Sequence, residues 1–407
     1  MNFRKISVLG LGYIGLPTAA MLASSGMEVT GIEVSENIID TVNRGTIHIV
    51  EPGLESLVEN AVSDGKLFAT KHAQKADAFL IAVPTPFKSY QKGDPEPDLS
   101  YIMQACKTIA PVLQKGNLIV LESTVPVGTT EKICAWLSEI RPDLRFPAQG
   151  VANSDVHVAH CPERVLPGNV LHELVHNDRI IGGITPECSH AACTLYKSFV
   201  KGECHISDAR TAEMAKLTEN ASRDAQIAFA NELSIICDQL KINVFDLIKL
   251  ANRHPRVNIL EPGAGVGGHC IAVDPWFIVH SSPDESKIIK LSREINNHKT
   301  DWVINKIHQI ANEKPLHSIV LYGLTFKADT DDLRNSPALL IAKTLTKTHG
   351  ERVLCLDPYI DRDNAPNEIF FRTLEDPLPD EHIKVILVPH SNFKGMQNQQ
   401  ILKVVNI

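Results

Sequence analysis

Residues 5–15, Lys-Ile-Ser-Val-Leu-Gly10-Leu-Gly12-Tyr-Ile-Gly15, decide the fold of this chain. Five residues typical of a buried β-strand come first, three glycines follow at the spacing Gly-x-Gly-x-x-Gly, and a helical stretch begins at the last glycine. Such glycines allow a tight turn, a close backbone approach to a pyrophosphate, and helix–strand packing. The N-terminus of the helix then faces the phosphate charge. The pattern predicts a βαβ unit that binds a dinucleotide, and it argues against reading this apolar stretch as a signal peptide.

An acidic residue follows the second predicted strand, Glu28–Ile32. The carboxylate of Glu33 can accept hydrogen bonds from a ribose diol, and it would repel a 2′-phosphate. We therefore predict NAD rather than NADP as the cofactor. Gly10, Gly12, Gly15 and Glu33 are the first candidate contacts.

Short β-rich runs alternate with amphipathic helical stretches in the first half of the chain, and the alternation resumes near the C-terminus. This order is typical of doubly wound parallel sheets. Further strands are predicted at Ala78–Val83, Leu118–Glu122, Val156–Ala159, Ser318–Gly323, Arg352–Asp357 and Lys384–Val388, with a helix at Ser336–Thr348.

The interval Glu203–His254 contains neither Gly nor Pro. A helix that begins near Ser207 or Asp208 and ends near Gln239 would be ~48 Å long, too long for a crossover inside one sheet. We predict an α/β fold with two Rossmann-like doubly wound parallel-sheet domains joined by this long central helix. The predicted parts are an NAD-binding domain (1–205), a central helical and dimerisation region (206–300), and a second Rossmann-like domain (301–407).

Composition excludes several classes of protein. The 407 residues are 43% hydrophobic and 22% charged, ordinary values for a globular chain. A formal charge of −8 does not favour a nucleic-acid partner, and no run of about 18 apolar residues predicts a membrane span. The nine cysteines include no Cys-x-x-Cys pair, so we expect reduced thiols, no metal site and a cytoplasmic location.

A glycine-rich stretch, Pro262–Gly268, leads to His269 and Cys270. If a helix opens at residues 270–274, its dipole would favour the Cys270 thiolate, and Asp274 would lie one turn along on the same face. Most cysteines are buried small apolar residues. The approach through four glycines favours a nucleophile here.

Two further sets of polar residues are candidates for ligand binding. Lys216, Asn220 and Arg223 share one stripe of the long helix, which is either a ligand-facing stripe or a solvated face. Lys327 and Arg334 follow the predicted strand that ends at Gly323, where ligands of parallel sheets usually bind. The run Arg253-His-Pro-Arg256 adds donors before the glycine-rich stretch.

These motifs resemble the UDP-glucose/GDP-mannose dehydrogenases, a family of NAD-dependent enzymes that oxidise the C6 alcohol of nucleotide sugars to a carboxylate. The resemblance covers nearly the whole chain. It rests on the glycine fingerprint and on Val83-Pro-Thr-Pro86, Ser123-Thr-Val-Pro-Val-Gly128, Cys161-Pro-Glu-Arg-Val-Leu-Pro-Gly168, Glu213-Met-Ala-Lys-Leu-Thr-Glu-Asn220, Gly267-Gly-His-Cys270 and Gly323-Leu-Thr-Phe-Lys-Ala-Asp-Thr-Asp-Asp-Leu-Arg334.

Within this family, the runs Ala251–Ile259 and Cys270–Phe277 are most similar to the branch that oxidises UDP-N-acetyl-D-mannosamine. That branch supplies a uronic acid for bacterial surface polysaccharides such as enterobacterial common antigen. The resemblance implies a UDP-N-acetylhexosamine substrate, a UDP-sugar-binding C-terminal domain and a homodimer.

The resemblance also implies a role for each matching residue. The nucleophile would be Cys270 and the proton donor and acceptor Lys216, with Asp274, Glu163 and Asn220 as the other catalytic residues. NAD contacts would include Tyr13, Ile14, Thr85, Thr124 and Arg334 beside Glu33 and the glycines. Substrate contacts would be Arg164, Val165, Lys216, Asn220, Arg223, His254, Arg256, Gly267 and Lys327.

The implied reaction is a four-electron oxidation that passes through a thiohemiacetal and a thioester on Cys270 and reduces two NAD per sugar. Three alternatives stay open. The first is another nucleotide sugar, namely UDP-glucose, UDP-N-acetylglucosamine or GDP-mannose. The second is a two-electron β-hydroxyacid dehydrogenase, which would not need Cys270. The third is a nucleotide-sugar-binding protein without turnover.

Overall fold

The first strand, β1, lies inside an eight-stranded sheet with the order β3-β2-β1-β4-β5-β6-β7-β8. All neighbouring strands are parallel except β6 and β7, which are antiparallel. The strands are β1 Lys5–Leu9, β2 Glu28–Ile32, β3 Leu67–Thr70, β4 Ala78–Ile81, β5 Leu118–Leu121, β6 His157–His160, β7 Arg179–Gly183 and β8 Cys204–Asp208.

The computed structural model describes residues 3–88, 93–148, 153–166, 168–394 and 401–403, the last three by their backbone. The chain divides into two units, Met1–Thr218 and Glu219–Ile407. The three-part division drawn from the sequence stays a prediction.

The helices of the first unit cover both faces of its sheet. Every residue of the central strands β4 and β5 is buried, as expected for parallel strands with helices on both sides. The helices are α1 Gly15–Ser24, α2 Glu36–Asn43, α3 Leu54–Ser63, α4 Ser100–Ile109, α5 Thr129–Ile140, α6 Val170–His176 and α7 Pro186–Tyr196.

The long helix, α8, spans Ala209–Leu240. Asp208 is its N-cap, because the Asp208 carboxylate accepts a hydrogen bond from the backbone N–H of Thr211 at 2.9 Å. The prediction of a helix from Ser207 or Asp208 to about Gln239 is therefore confirmed. The division between the two units falls inside this helix.

The second unit contains a five-stranded parallel sheet with the order β11-β10-β9-β12-β13. Its strands are β9 Ser318–Tyr322, β10 Val353–Leu356, β11 Phe371–Arg372, β12 His382–Ile386 and β13 Ile401–Lys403. Its further helices are α9 Val244–Ala251, α10 Asp274–Ser281, α11 Lys287–Glu313 and α12 Pro337–His349.

Both sheets begin with the strand order 3-2-1-4-5 of a doubly wound fold, and the predicted fold class is confirmed. Each sheet therefore has a switch point, between β1 and β4 and between β9 and β12, where ligands bind beyond the carboxyl ends of the strands. The antiparallel β7 was not predicted. Short apolar runs do not reveal strand direction, which depends on the path of the connection.

Candidate active site

The glycine turn after β1 has the geometry of a phosphate-binding turn. Gly10 has φ 87°, and an added Cβ would lie 2.8 Å from the carbonyl oxygen of Ala82. An added Cβ on Gly15 would collide with the carbonyl oxygen of Gly10, whereas Gly12 faces open space with no atom within 4 Å. The first and third glycines are thus required for the fold, and the second leaves room for a ligand. This turn at the start of α1 fits a pyrophosphate.

Glu33 follows β2, as predicted, and its carboxylate is held by the backbone. Oε2 accepts a hydrogen bond from the N–H of Leu11 at 3.0 Å, and Oε1 accepts one from Val34 at 2.8 Å. His48 faces the same carboxylate. Burial lowers the pKa of His48, and the Glu33 charge opposes that shift. The half-buried Glu33 carboxylate therefore lies beside the glycine turn, where it could accept hydrogen bonds from a ribose diol.

The segments after β4 and β5 are bonded to each other. The Thr85 hydroxyl donates to the carbonyl oxygen of Thr124 at 2.7 Å, and the Ser123 hydroxyl donates to the carbonyl oxygen of Val83 at 2.6 Å. The predicted cofactor contacts Thr85 and Thr124 are therefore brought together at the carboxyl edge of the sheet. Tyr13 and Ile14 lie in the glycine turn, and Tyr13 is exposed.

The segment after β6 carries Glu163, which is buried in an ion pair. Its Oε2 accepts a hydrogen bond from Arg179 Nη1 at 2.7 Å, and both side chains are almost wholly buried. Its Oε1 accepts the backbone N–H of Arg164 at 2.7 Å. Arg164 and Val165 follow directly and are half-buried. Arg179 thus defines the orientation of the Glu163 side chain.

A second carboxyl, Glu122, lies beside this pair and follows β5. Its Oε1 is 2.5 Å from the hydroxyl of Tyr196, whose ring lies 5.3 Å from the Arg179 guanidinium. Burial, and then the Glu163 charge, raises the pKa of Glu122 to about 7. The single charge of Arg179 compensates only the charge of Glu163, so burial favours the neutral form of Glu122.

Cys270 lies on a glycine-rich loop that packs against the segment after β9. An added Cβ on Gly267 would lie 2.5 Å from the carbonyl oxygen of Asn335, and one on Gly268 would lie 2.9 Å from the Phe326 ring. The N–H of Gly268 donates to the carbonyl oxygen of Arg334 at 3.2 Å. We call residues 263–270 the cysteine loop. Its glycines are required because no side chain fits at these two contacts.

Seven of the nine cysteines are buried, while Cys270 and Cys204 are partly exposed. Helix α10 begins at Asp274, four residues later than the predicted opening, and the carbonyl oxygen of Cys270 accepts the Asp274 N–H at 2.8 Å. Residues 268–273 form turns before the helix. Cys270 is thus a partly exposed residue four positions before that helix begins.

Asp274 is buried, and its Oδ2 accepts a hydrogen bond from the Asn220 amide at 2.6 Å. Two predicted catalytic residues, 54 positions apart in the chain, are therefore in contact. Asn220 is part of α8, as are Lys216 and Arg223. Lys216 is half-buried, and within the described part of the chain its side chain has no hydrogen-bonding or ion-pair partner.

The segment Thr325–Asn335 after β9, which we call the Lys327 loop, carries two predicted ligand contacts. Lys327 is exposed, with its ammonium 5.8 Å from the Phe326 ring. Arg334 is paired with Asp332 through both carboxylate oxygens. Burial opposes ionisation of Asp332, but hydrogen bonds from Arg334 lower its pKa, and His269 contributes its charge.

The predicted contacts Arg223, His254 and Arg256 are exposed on α8 and beyond the end of α9. Their roles stay predictions, as do those of the other site residues.

Several residues of the site were missed by the sequence reasoning. Arg179 orients Glu163. Glu51 accepts the N–H groups of Gly168 and Val170 at 2.8 and 2.7 Å and so anchors the segment after β6. His390 binds the Lys327 loop. All three are polar side chains that are buried in the structure. A polar residue at the edge of an apolar stretch of sequence is the signal that could have found them, because such a residue needs a partner once it is buried.

The described residues contain neither a candidate metal site nor a candidate membrane span. No group of three or more His, Cys, Asp or Glu side chains that could hold a metal ion is found among them. Within the same part of the chain, no helix combines the length and apolar character needed to cross a membrane.

A glycine turn of this kind, followed by an acidic residue after the second strand of a doubly wound sheet, is typical of NAD-dependent oxidoreductases. The comparisons with known proteins give the family. The UDP-glucose/GDP-mannose dehydrogenase family matches in all three of its parts: the NAD binding domain over residues 4–200, the central domain over 210–298 and the UDP binding domain over 320–406. The chain belongs to this family.

Individual relatives are similar over almost their full length. An NDP-N-acetyl-D-galactosaminuronic acid dehydrogenase from Ralstonia solanacearum is 54% identical over 402 residues, which cover 98% of this chain and 94% of that protein. A UDP-N-acetyl-D-mannosamine dehydrogenase from Campylobacter jejuni is 54% identical over 406 residues, 98% of this chain and 99% of that protein.

Among solved structures, the UDP-N-acetyl-mannosamine dehydrogenase Cap5O from Staphylococcus aureus is 43% identical, with a TM-score of 0.83. The match covers 96% of this chain and 90% of that one. The family resemblance seen in the motifs is thus confirmed. The chain is an NAD-dependent UDP-sugar dehydrogenase, and NAD is its cofactor, as predicted.

Proposed function

We propose that the protein oxidises the C6 alcohol of UDP-N-acetyl-D-mannosamine to the carboxylate, in a four-electron reaction that reduces two NAD. The observation that carries the proposal is Cys270, a partly exposed thiol on a loop that packs directly against the Lys327 loop of the UDP binding domain. A two-electron dehydrogenase would not need this cysteine.

The choice of sugar rests on similarity. Relatives named for UDP-N-acetyl-D-mannosamine and for an N-acetylgalactosamine-type sugar are equally identical to this chain, at 54%. The runs Ala251–Ile259 and Cys270–Phe277 favour the mannosamine branch. The other UDP-N-acetylhexosamines, UDP-glucose and GDP-mannose are the alternatives.

In the first oxidation, Lys216 would accept the proton of the C6 hydroxyl. A half-buried lysine without a described partner is suited to this role, because no carboxylate of the described chain occupies its amine. NAD, when bound, supplies the hydride acceptor for each of the two oxidations. Asn220, one helical turn from Lys216, would bind the sugar and orient Asp274.

In the second oxidation, the Cys270 sulfur would add to the aldehyde carbon and form a thiohemiacetal. Loss of its C–H hydride gives a thioester, and water then cleaves the C–S bond, releasing the acid and the thiol. Asp274 and Glu163 would assist the movement of water and protons in this step. Glu163 is suited to this role because the hydrogen bond from Arg179 fixes its orientation.

A panel of nucleotide sugars tests the proposed activity. The purified protein is incubated with NAD and the UDP-N-acetyl epimers of mannosamine, glucosamine and galactosamine, together with UDP-glucose and GDP-mannose. We expect the highest kcat/KM with UDP-N-acetyl-D-mannosamine and two NADH per product. One NADH per released aldehyde would contradict the four-electron reaction, and a preference for another sugar would reassign the substrate.

The role of Cys270 has a matched control in Cys204, the other partly exposed cysteine. We expect Cys270→Ala to abolish acid formation and Cys204→Ala to leave it unchanged. Mass spectrometry of the wild-type enzyme, quenched during turnover, should show an adduct on Cys270. A Cys270→Ala enzyme that still makes the acid would exclude the thioester route.

The oligomeric state of the protein belongs to the same proposal. We infer a homodimer, because Phe229, Ile236 and Leu240 expose apolar side chains at spacings of seven and four residues on one face of α8. Sedimentation velocity should give twice the chain mass of 44.8 kDa.

The product would enter a cytoplasmic route to a surface polysaccharide such as enterobacterial common antigen. Loss of that polymer on gene deletion tests this role.

A further inference from the structure

The turn after β9 repeats the hydrogen-bonding scheme of the dinucleotide turn after β1. Gly323 has φ 87°, as Gly10 does. The N–H of Gly323 donates to the carbonyl oxygen of Leu356 at 2.8 Å, and the N–H of Gly10 donates to that of Ile32 at 2.9 Å. In each case the glycine is bonded to the strand that the doubly wound order places beside it. The two turns therefore start from the same backbone geometry.

The repetition extends to the acidic residue after the second strand of each sheet. The N–H of Leu11 donates to the Glu33 carboxylate at 3.0 Å, and the N–H of Leu324 donates to the Asp357 carboxylate at 2.6 Å. Glu33 is half-buried, and a diol can reach it. Asp357 is only 3% exposed, so no ribose can reach it. The carboxylate of the second turn has a different partner.

That partner is the buried side chain of His390, beyond the end of β12. The imidazole Nδ1 accepts a hydrogen bond from the backbone N–H of Asp329 at 2.9 Å. Nδ1 therefore carries no proton, and Nε2 carries one. Nε2 donates a hydrogen bond to the Asp357 carboxylate at 3.1 Å. The imidazole thus links the end of β10 to the backbone of the Lys327 loop.

The link holds a part of the Lys327 loop that is unfavourable on its own. Asp329 has φ 58°, a left-handed conformation that non-glycine residues seldom adopt. Its carboxylate accepts the N–H of Ser391 at 2.8 Å and the hydroxyl of Tyr359 at 3.1 Å. The strained residue is thus bonded through both its backbone and its side chain, two positions from Lys327.

The first half of the loop is bonded to the same imidazole. The Thr325 hydroxyl lies 3.3 Å from Nε2 of His390 and donates to the carbonyl oxygen of Lys327 at 2.9 Å. The residues on both sides of Lys327 are therefore tied to one buried histidine. The ammonium of Lys327 extends from a backbone that is fixed on either side.

We propose that His390 and Asp357 are positioning residues that hold the Lys327 loop in the conformation that binds the UDP moiety. The carboxylate that would bind a ribose in a dinucleotide site is here used to orient the histidine. This proposal rests on the proposed function, which gives Lys327 its role toward the substrate. Because Phe326 contacts Gly268, the same arrangement also sets the position of the cysteine loop.

UDP binding measured by calorimetry tests the proposal without turnover. His390→Gln keeps a donor toward Asp357 but loses the acceptor for the Asp329 N–H. We expect the UDP dissociation constant to rise roughly tenfold, since the loss of the hydrogen bond from the Asp329 N–H frees the loop. NAD binding, whose predicted contacts lie in the first unit apart from Arg334, should weaken less than UDP binding does.

The matched control is His382→Gln, on β12 and outside this network; its Nδ1 lies 2.7 Å from the carbonyl oxygen of Pro379. It should leave both affinities unchanged. If UDP affinity is unchanged in a folded His390→Gln protein, or if His382→Gln has an equal effect, the proposal is wrong.

A second variant decides the case if His390→Gln does not fold. Thr325→Val keeps the shape of the side chain and removes the hydroxyl that connects Nε2 of His390 with the carbonyl oxygen of Lys327, so folding should survive. We expect UDP binding to weaken more than NAD binding, and unchanged UDP binding would overturn the proposal. The proposed function fails separately, if the wild-type protein binds UDP but oxidises no nucleotide sugar.

Discussion

At the scale of single residues, Glu33 shows how a carboxylate becomes a selective acceptor. Three backbone N–H groups, from Leu11, Val34 and Ser35, hold its two oxygens in place. These hydrogen bonds fix the orientation of the Glu33 carboxylate. A rigid negative charge at this point favours a ribose diol over a 2′-phosphate.

We expect Glu33→Ser to weaken NAD use and to relax the discrimination against NADP. The ratio of kcat/KM for NAD to that for NADP should fall by a factor on the order of 10 to 100, because one charge-assisted acceptor is lost and one repulsion removed. Steady-state kinetics with both cofactors measures it. Glu36→Gln, which alters an exposed acid paired with Lys71, should leave the ratio unchanged.

At the scale of elements, the cysteine loop depends on close backbone contact. Gly267→Ala would bring a Cβ to 2.5 Å from the carbonyl oxygen of Asn335, a backbone atom that cannot move alone. A displacement of about 1 Å at the nucleophile should lower kcat roughly hundredfold. Gly263→Ala, on the same loop with its nearest atom at 3.8 Å, is the control and should keep its activity. Equal activities would refute this account of the loop.

A buried ion pair joins α8 and α11 in the second unit. Arg293 Nη1 lies 2.6 Å from Asp224 Oδ1, and both side chains are almost wholly buried. Arg293→Met leaves the aspartate without its cation, and we expect a loss of about 3–5 kcal/mol in the free energy of unfolding. Lys306→Met, farther along α11, breaks the more exposed pair with Asp238 and should cost less than about 1 kcal/mol. Urea denaturation of the two variants distinguishes these results.

At the scale of the whole molecule, two buried groups give the stability a dependence on pH with opposite signs. The pKa of Glu122 is raised from 4.5 to about 7, chiefly by burial. Between these values the folded protein keeps a proton that the unfolded chain has lost, so stability falls as pH rises. The loss amounts to about 3 kcal/mol. We expect Glu122→Gln to remove this slope in unfolding measurements from pH 5 to 7.

Lys299 acts in the opposite direction at higher pH. It is fully buried between α8 and α11, where its ammonium lies 2.8 Å from the Ser234 hydroxyl and 4.0 Å from the Trp302 ring. Burial lowers its pKa from 10.5 to about 7. The unfolded chain then holds the extra proton between these values, so stability rises with pH. Lys299→Met should remove the rise in the free energy of unfolding from pH 7 to 10. If the rise persists in this variant, it belongs to other titrating groups.

Much of the fold could be read from local patterns. The strands β1 and β2 have the predicted bounds, and Ser336 caps α12 through a hydrogen bond from the N–H of Leu339 at 3.2 Å. The strands β3, β7, β8, β11 and β13 were not predicted from the sequence. The strand at Lys384–Val388 was displaced by two residues from His382–Ile386, since its end depends on pairing with β9.

The sequence by itself determined the glycine turn, the acidic residue after β2, the long helix and the accessible position of a cysteine behind glycines. These features depend on steric limits and capping within a few residues, which act wherever the segment lies. Only the tertiary structure decided which distant groups meet: Asn220 with Asp274, Arg179 with Glu163, Asn335 with Gly268, and His390 with Asp357. Such contacts arise when buried polar groups find partners across the packed core, and no local pattern contains that choice.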